Sequence, residues 1–472
     1  VLFNSFDYLL FLTFALVGYW ALRRARMARL IFVLVASCAF YATSSPWYLG
    51  LIFFSTTVDW AVGHQISRSD DDTIRKRWVA VSVVVNLSLL GFFKYWDFGA
   101  QAVSDGLNLL HVQVHAPLLH LMLPVGISFY TFESLSYCID VYRRKCEPAR
   151  NPLELLFFIT FFPKLVAGPI ARPADLLPQL RREPSVSPDR ISEGLFLILT
   201  GMTKKVIFAD YVSINLVDRV FEAPDRFTSI EVLVALYGFT LQIYADFSGY
   251  TDIARGSAKL FGISLPENFD RPYQSKSPAE FWRRWHMSLS TWLRDYLYFP
   301  LGGSRHGEAR TYFNLWLTIF LIGLWHGASW TFVIYGVLQA TAVALHRLVT
   351  RWRGVDTTND ARWLTALKVF GTLQFAVFTR ILFRAEDLEN AGDIVEQMGR
   401  GSWGAANVAP TLWLILVLGF AAHYTPRAWY AQARHHFMRM PAPAQGGVLA
   451  AGLGLLMLVA NGQTVPYIYF QF

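Results

Sequence analysis

Tyr312–Gly336 reads YFNLWLTIFLIGLWHGASWTFVIYG and contains no Asp, Glu, Lys or Arg. The apolar run around it, 311–346, is long enough for two membrane crossings, since one crossing takes about 20 residues. Gly327–Ser329 is the natural place for a break between them. One strongly polar, ionisable side chain, His326, stands inside the run. Such a group at membrane depth is costly to bury and marks a functional site by default. A neutral imidazole is also what general-base chemistry requires. The alternative is a histidine that hydrogen-bonds across a helix interface. Gly323 and Gly327, at i−3 and i+1, allow close approach of either a helix or a ligand.

Working outward, further apolar segments fall near 6–22, 30–46, 47–64, 78–95, 118–138, 152–171, 191–209, 231–250, 363–383, 409–425 and 446–461. The 472 residues are 54% hydrophobic and only 16% charged, against about 25% charged in a soluble domain. The chain therefore reads as an all-α integral membrane protein of about 11–12 crossings, forming one domain over 1–472. The N-terminus lacks a basic n-region and reads as a retained first span, not a cleaved signal. The net charge of +8 resides in short loops, as the positive-inside rule expects, so no nucleic-acid role is implied. Cys38, Cys138 and Cys146 show no metal-binding spacing, and no disulfide framework is expected. No internal repeat is visible, which argues against a secondary transporter.

Orientation follows from the loops. Arg23, Arg24, Arg26 and Arg29 put the first loop in the cytoplasm, and Arg75–Arg77 and Arg143–Lys145 follow on the same side. The loop 97–117 and the acidic stretch Glu386–Glu396 fall outside. Segment 152–171 has basic flanks on both sides and is interrupted by Pro163, Gly168 and Pro169. That combination favours a re-entrant or broken helix, with a Pro-kinked crossing as the alternative.

The longest polar stretch, 254–310, reads as a cytoplasmic or re-entrant segment. Within it Ser277-Pro278-Ala279-Glu280 has the form of a capping box with Pro at the first helical position. The helix it starts, expected over 278–298, is FWRRWHMSLSTWLRDYLY from Phe281 on. Its apolar stripe is Trp282, Trp285, Leu289, Trp292, Leu293 and Tyr296, with His286 at the edge. An interfacial helix has the same composition, and one helix can serve both as that and as the wall of a substrate tunnel. Asn268–Tyr273 reads as a turn that positions it. Glu133, Asp246 and Asp252 are carboxylates in or beside apolar spans, where a structural role is the expectation.

The blocks PVGISFYTFESLSYCIDVYR (Pro124–Arg143), FFPKLVAGPI (Phe161–Ile170), YADFSGYTDIARG (Tyr244–Gly256), ENFDRPYQSKSPAEFWRRWHMSLSTWLRDYLYFPLGG (Glu267–Gly303), LWHGASW (Leu324–Trp330), ILFRAEDL (Ile381–Leu388) and PYIYFQF (Pro466–Phe472) occur in this order. Together they resemble the membrane-bound O-acyltransferase family, in its bacterial polysaccharide branch. The resemblance implies a helical bundle with re-entrant and interfacial helices around a central funnel or tunnel, in the bacterial inner membrane. It implies catalysis by His326 and His286, and donor or substrate contacts from Arg283, Arg284, Trp285, Trp325 and Asp246. It further implies acetyl-CoA as donor substrate with no bound cofactor or metal, and a periplasmic SGNH-like acetyltransferase as partner. Lys164 departs from the family pattern and could offer a cation to donor phosphates. Other acyl donors, namely carrier-bound D-alanyl or fatty acyl, remain open at this stage, as does a glycan or lipid transporter.

Overall fold

The computed structural model describes residues 3–44, 46–354, 360–460 and 465–468. These residues form helices and connecting turns, with no strand among them. They group into two compact units, Phe3–Arg190 with Ser257–Pro266, and Ile191–Gly256 with Glu267 onward.

The first unit holds α1 (Phe6–Ala21), α2 (Arg26–Ala42), α3 (Leu49–Arg68), α4 (Asp72–Leu90), α5 (Trp96–Leu109), α6 (Ile127–Tyr142), α7 (Pro152–Thr160), α8 (Phe162–Leu165) and α9 (Pro173–Arg181). Much of the stretch read as the loop 97–117 is therefore helical, because a π-turn at Gly91–Tyr95 carries α4 into α5. Helices α3, α4 and α6 share a buried polar knot. Asp59 accepts hydrogen bonds from Ser82 (2.6 Å), Asn86 (3.0 Å) and the Cys138 thiol (3.4 Å), the polar pairing that joins helices where water is absent.

The segment 152–171 is broken, as Pro163 and the glycine predict. Helix α7 ends at Thr160, and at about 1.5 Å per residue it is far too short to cross a bilayer. Its two basic flanks meet. Arg181, beyond the segment, reaches Glu147 (3.0 Å), Glu154 (3.0 Å) and the Pro148 carbonyl (3.0 Å), all at its start. A segment whose ends share a carboxylate leaves by the side it entered, which resolves the charge conflict in favour of re-entry.

The second unit contains α10 (Pro188–Thr203), α11 (Asp218–Glu222), α12 (Ser229–Leu260), α13 (Pro278–Arg284), α14 (Met287–Leu293), α15 (Glu308–His326), α16 (Trp330–Arg353), α17 (Arg362–Arg384), α18 (Leu388–Gly399), α19 (Pro410–Tyr424), α20 (Arg427–Arg439) and α21 (Ala442–Ala460). Five stretches of the described residues are long and apolar enough to cross a membrane: Asp72–Leu109, α12, α16, α17 and α21.

The 311–346 run divides where expected, with α15 ending at His326 and α16 starting at Trp330. The two helices then close on a pair of glycines. A Cβ placed on Gly323 would lie 2.3 Å from the Gly336 Cα. Such small residues let backbones touch when lipid supplies no hydrophobic drive. Gly323→Ala is expected to cost about 1–3 kcal/mol by overpacking. A lower melting temperature of the detergent-solubilised protein checks it, and an unchanged one contradicts it.

Candidate active site

Helix α13 begins as its sequence dictates. Ser277 accepts the Glu280 N–H at 3.2 Å, and Pro278 occupies the first turn, where no donor is needed. The Glu280 carboxylate accepts the Lys276 N–H (2.9 Å) instead of the N-cap's own, and it also pairs with Arg284 (2.6 Å).

A single helix over 278–298 is not what forms. Helix α13 stops at Arg284, His286 turns left-handed (φ 42°, ψ 55°), and α14 restarts at Met287 before widening into a π-turn at Arg294–Tyr298. Asn268 makes this break. Its carbonyl accepts the Met287 N–H (2.9 Å) and its side-chain oxygen the Ser288 N–H (3.2 Å), while the Arg284 carbonyl accepts from Asp270 (2.9 Å). The free donors at the start of α14 are thus satisfied from the Asn268–Tyr273 turn, not from α13. A left-handed conformation is uncommon outside glycine and gathers at functional sites.

The turn resets the helical phase, and His286 moves from the edge of the stripe to complete burial. Its ring lies edge-on to Phe247 (centroids 4.6 Å) and beside Trp325 (5.5 Å). His326, the last residue of α15 and 2% exposed, packs on the opposite side against Trp325 (5.0 Å), Phe383 (4.9 Å), Phe332 (6.3 Å) and Tyr335 (6.4 Å). The Trp325 indole touches both imidazoles, so residues forty positions apart in sequence share one aromatic chamber.

The other residues singled out from sequence divide. Trp285 is buried, stacked on Phe281 (5.5 Å, 16°) and edge-on to Phe269 (5.1 Å), and it walls the chamber. Arg283 is exposed, and Arg284 is engaged with Glu280. Asp246 pairs with Lys205 (2.7 Å) and accepts the Ile468 N–H (2.8 Å), which is a structural use. Lys164 and Glu133, both buried in the first unit, pair with each other, and Glu133 also accepts the Ala171 N–H (3.1 Å). That pairing leaves Lys164 unsuited to donor phosphates. Of the closing motif, Tyr467 lies against Phe247 (5.6 Å) and Tyr250 (4.7 Å), and Tyr469–Phe472 lie outside the described residues.

Sequence reasoning missed Arg380. It is 1% exposed, with its guanidinium 4.7 Å above the Trp285 ring and 5.1 Å from Phe383. The rule that flagged His326, an ionisable group within an apolar run, applies equally to Arg380 within 363–383.

Paired buried imidazoles walled by indoles and phenyl rings, carried on helices of membrane-spanning length and composition, define a water-poor site suited to proton transfer at a reactive carbonyl. The chain belongs to the membrane-bound O-acyltransferase family, whose sequence pattern matches residues 149–383. It is 38% identical over 425 residues to a probable alginate O-acetylase, AlgI, of Azotobacter vinelandii, covering 88% of this chain and 83% of that one. It is 34% identical to a peptidoglycan O-acetyltransferase of Helicobacter pylori, over 82% of this chain and 77% of that one. A teichoic acid D-alanyltransferase of Bacillus subtilis is 28% identical, over 64% of this chain and 76% of that one. The protein is a membrane acyltransferase.

Proposed function

We propose that the protein O-acetylates an exported or cell-surface polysaccharide from the bacterial inner membrane, drawing the acetyl group from cytoplasmic acetyl-CoA and passing it to a periplasmic SGNH-like acetyltransferase. The observation that carries this reading is the shared chamber of His286 and His326, joined through Trp325. Relatives named for alginate and peptidoglycan O-acetylation support the acetyl group and the glycan destination.

In this reading His326 takes the proton of an acceptor hydroxyl as its oxygen attacks the thioester carbonyl. His286 donates a hydrogen bond to the carbonyl oxygen as it becomes negative. The intermediate collapses, the C–S bond breaks, and the His326 imidazolium returns its proton to the departing thiolate. The apolar walls keep out water, which would otherwise hydrolyse the thioester.

The test is transfer or hydrolysis of radiolabelled acetyl-CoA by the purified full-length chain in liposomes, with and without a candidate periplasmic acceptor. Label released or transferred by the wild type, and lost on His326 substitution, is the expected result. Silence with acetyl-CoA but turnover of a D-alanyl thioester on a carrier protein would replace the acetyl reading with the one the D-alanyltransferase relative favours.

A further inference from the structure

Arg380 holds a positive charge in the interior without a counter-charge. Its side chain makes no ion pair among the described residues, and its one hydrogen bond there, Nη1 to the Tyr335 hydroxyl, is long at 3.5 Å. The buried Nε and Nη2 find no hydrogen-bond partner among the described residues. These two atoms are not a random pair. They lie side by side on one edge of the planar guanidinium, the edge that grips a carboxylate or phosphate through two parallel N–H···O bonds. The other faces are occupied, with Trp285 beneath (4.7 Å) and Phe383 alongside (5.1 Å). Arg380 also lines a narrow cleft with Tyr335, Gln339 and Thr379, too tight in this conformation for a water molecule. A buried, unneutralised charge is strongly unfavourable, so a fold that keeps one beside its reactive chamber gains from an anion that arrives later.

We propose that Arg380 is a substrate-recognition residue of the acyl-transfer chamber, reserving its Nε/Nη2 edge for a two-oxygen anion, a carboxylate or phosphate, carried by donor or acceptor. Its location ties it to the chemistry at both ends. Phe383, against the guanidinium, also packs on His326 at 4.9 Å, and Trp285, beneath it, precedes His286 in the chain. An oxoanion clamped there fixes the substrate relative to both imidazoles, and the cleft widens to admit it.

The role rests on the histidine pair being the transfer site, but the test does not require turnover. Thermal unfolding of the detergent-solubilised full-length chain is measured at constant ionic strength with two matched pairs of probes. Coenzyme A is compared with pantetheine, which lacks the phosphates, and glucuronate with glucose, which lacks the carboxylate. The wild type is expected to gain a saturable rise in melting temperature with at least one anion and none with its neutral counterpart. The first pair responding assigns a donor phosphate, and the second an acceptor carboxylate.

Arg380→Met is expected to fold with unchanged or higher basal stability, since it removes the isolated charge, and to lose the response entirely. Arg380→Lys keeps the charge but not the edge and is expected to bind at least about tenfold more weakly. Should Arg380→Met fail to fold, the Lys variant carries the test alone. Equal responses in wild type and variants, or none in any, overturn the proposal and leave Arg380 as a packing post between Trp285 and Phe383. Failure of the acetyl-CoA assay would not alter either result.

Discussion

Replacing His326 by Ala or Gln is expected to lower acyl transfer by about 10²–10⁴-fold, the usual contribution of a general base, while the Gln variant stays folded. The competing role for a histidine at this depth is cohesion between helices, which in membranes is worth only about 0.6 kcal/mol on average. The close contact of α15 with α16 is already supplied three residues away by Gly323 and Gly336. What surrounds His326 is aromatic on several sides, from Trp325, Phe332, Tyr335 and Phe383. Such walls fix the ring and limit water without lending it a charge. Ala leaves a cavity, so Gln is the cleaner variant. The checks are turnover per folded molecule and the apparent KM for the thioester. A fall in kcat at constant KM identifies a group acting in the transition state. Near wild-type turnover with a lowered melting temperature would assign His326 to helix cohesion instead.

Lys205→Met is expected to be among the most destabilising single substitutions, at about 3–5 kcal/mol, because it strands buried carboxylates. Lys205 lies in the π-turn after α10 and pairs with Asp210 and Asp246, both at 2.7 Å, and all three side chains are almost wholly buried. The effect reaches the chamber. Asp246 accepts the Ile468 N–H, the adjoining Tyr467 packs on Phe247, and Phe247 packs on His286 at 4.6 Å. Loss of Lys205 is therefore expected to loosen the C-terminal segment as well, seen as faster proteolysis near 465–468 together with a lower melting temperature. The triple change Lys205→Met, Asp210→Asn, Asp246→Asn removes every charge and is expected to recover much of the loss. If Lys205→Met melts with the wild type, the triad is not structural, and Asp246 returns as a candidate substrate contact.

Much of the fold was legible because bilayer solvation acts on each segment separately. Apolar runs such as 363–383 and 409–425 became α17 and α19. Gly327–Ser329 separated α15 from α16, and Ser277-Pro278 started α13, since caps and breaks are settled by neighbours in sequence. Arg380 was legible by the rule applied to His326, but it belonged to no motif and was passed over.

The break at His286 was not legible. The periodicity of 278–298 is that of a continuous helix, and the stripe Trp282, Trp285, Leu289, Trp292 and Leu293 is indeed buried. What ends the helix is Asn268, which offers acceptors from a preceding turn that tertiary packing brings alongside. A charge pattern likewise left 152–171 undecided until Arg181 was seen to reach Glu147 and Glu154.

By itself, then, the sequence determined a helical membrane protein, most of its helix boundaries, and a histidine placed where burial demands a reason. Hydropathy, capping and proline chemistry are local, and each leaves its mark within a few residues. Only the tertiary structure decided that His286 turns inward to share Trp325 with His326, that Asp246 and Lys164 are held by partners, and that Arg380 keeps an open edge. Those outcomes depend on which side chains meet across helices, and burial makes their charges matter, yet neither leaves any periodic trace along the chain.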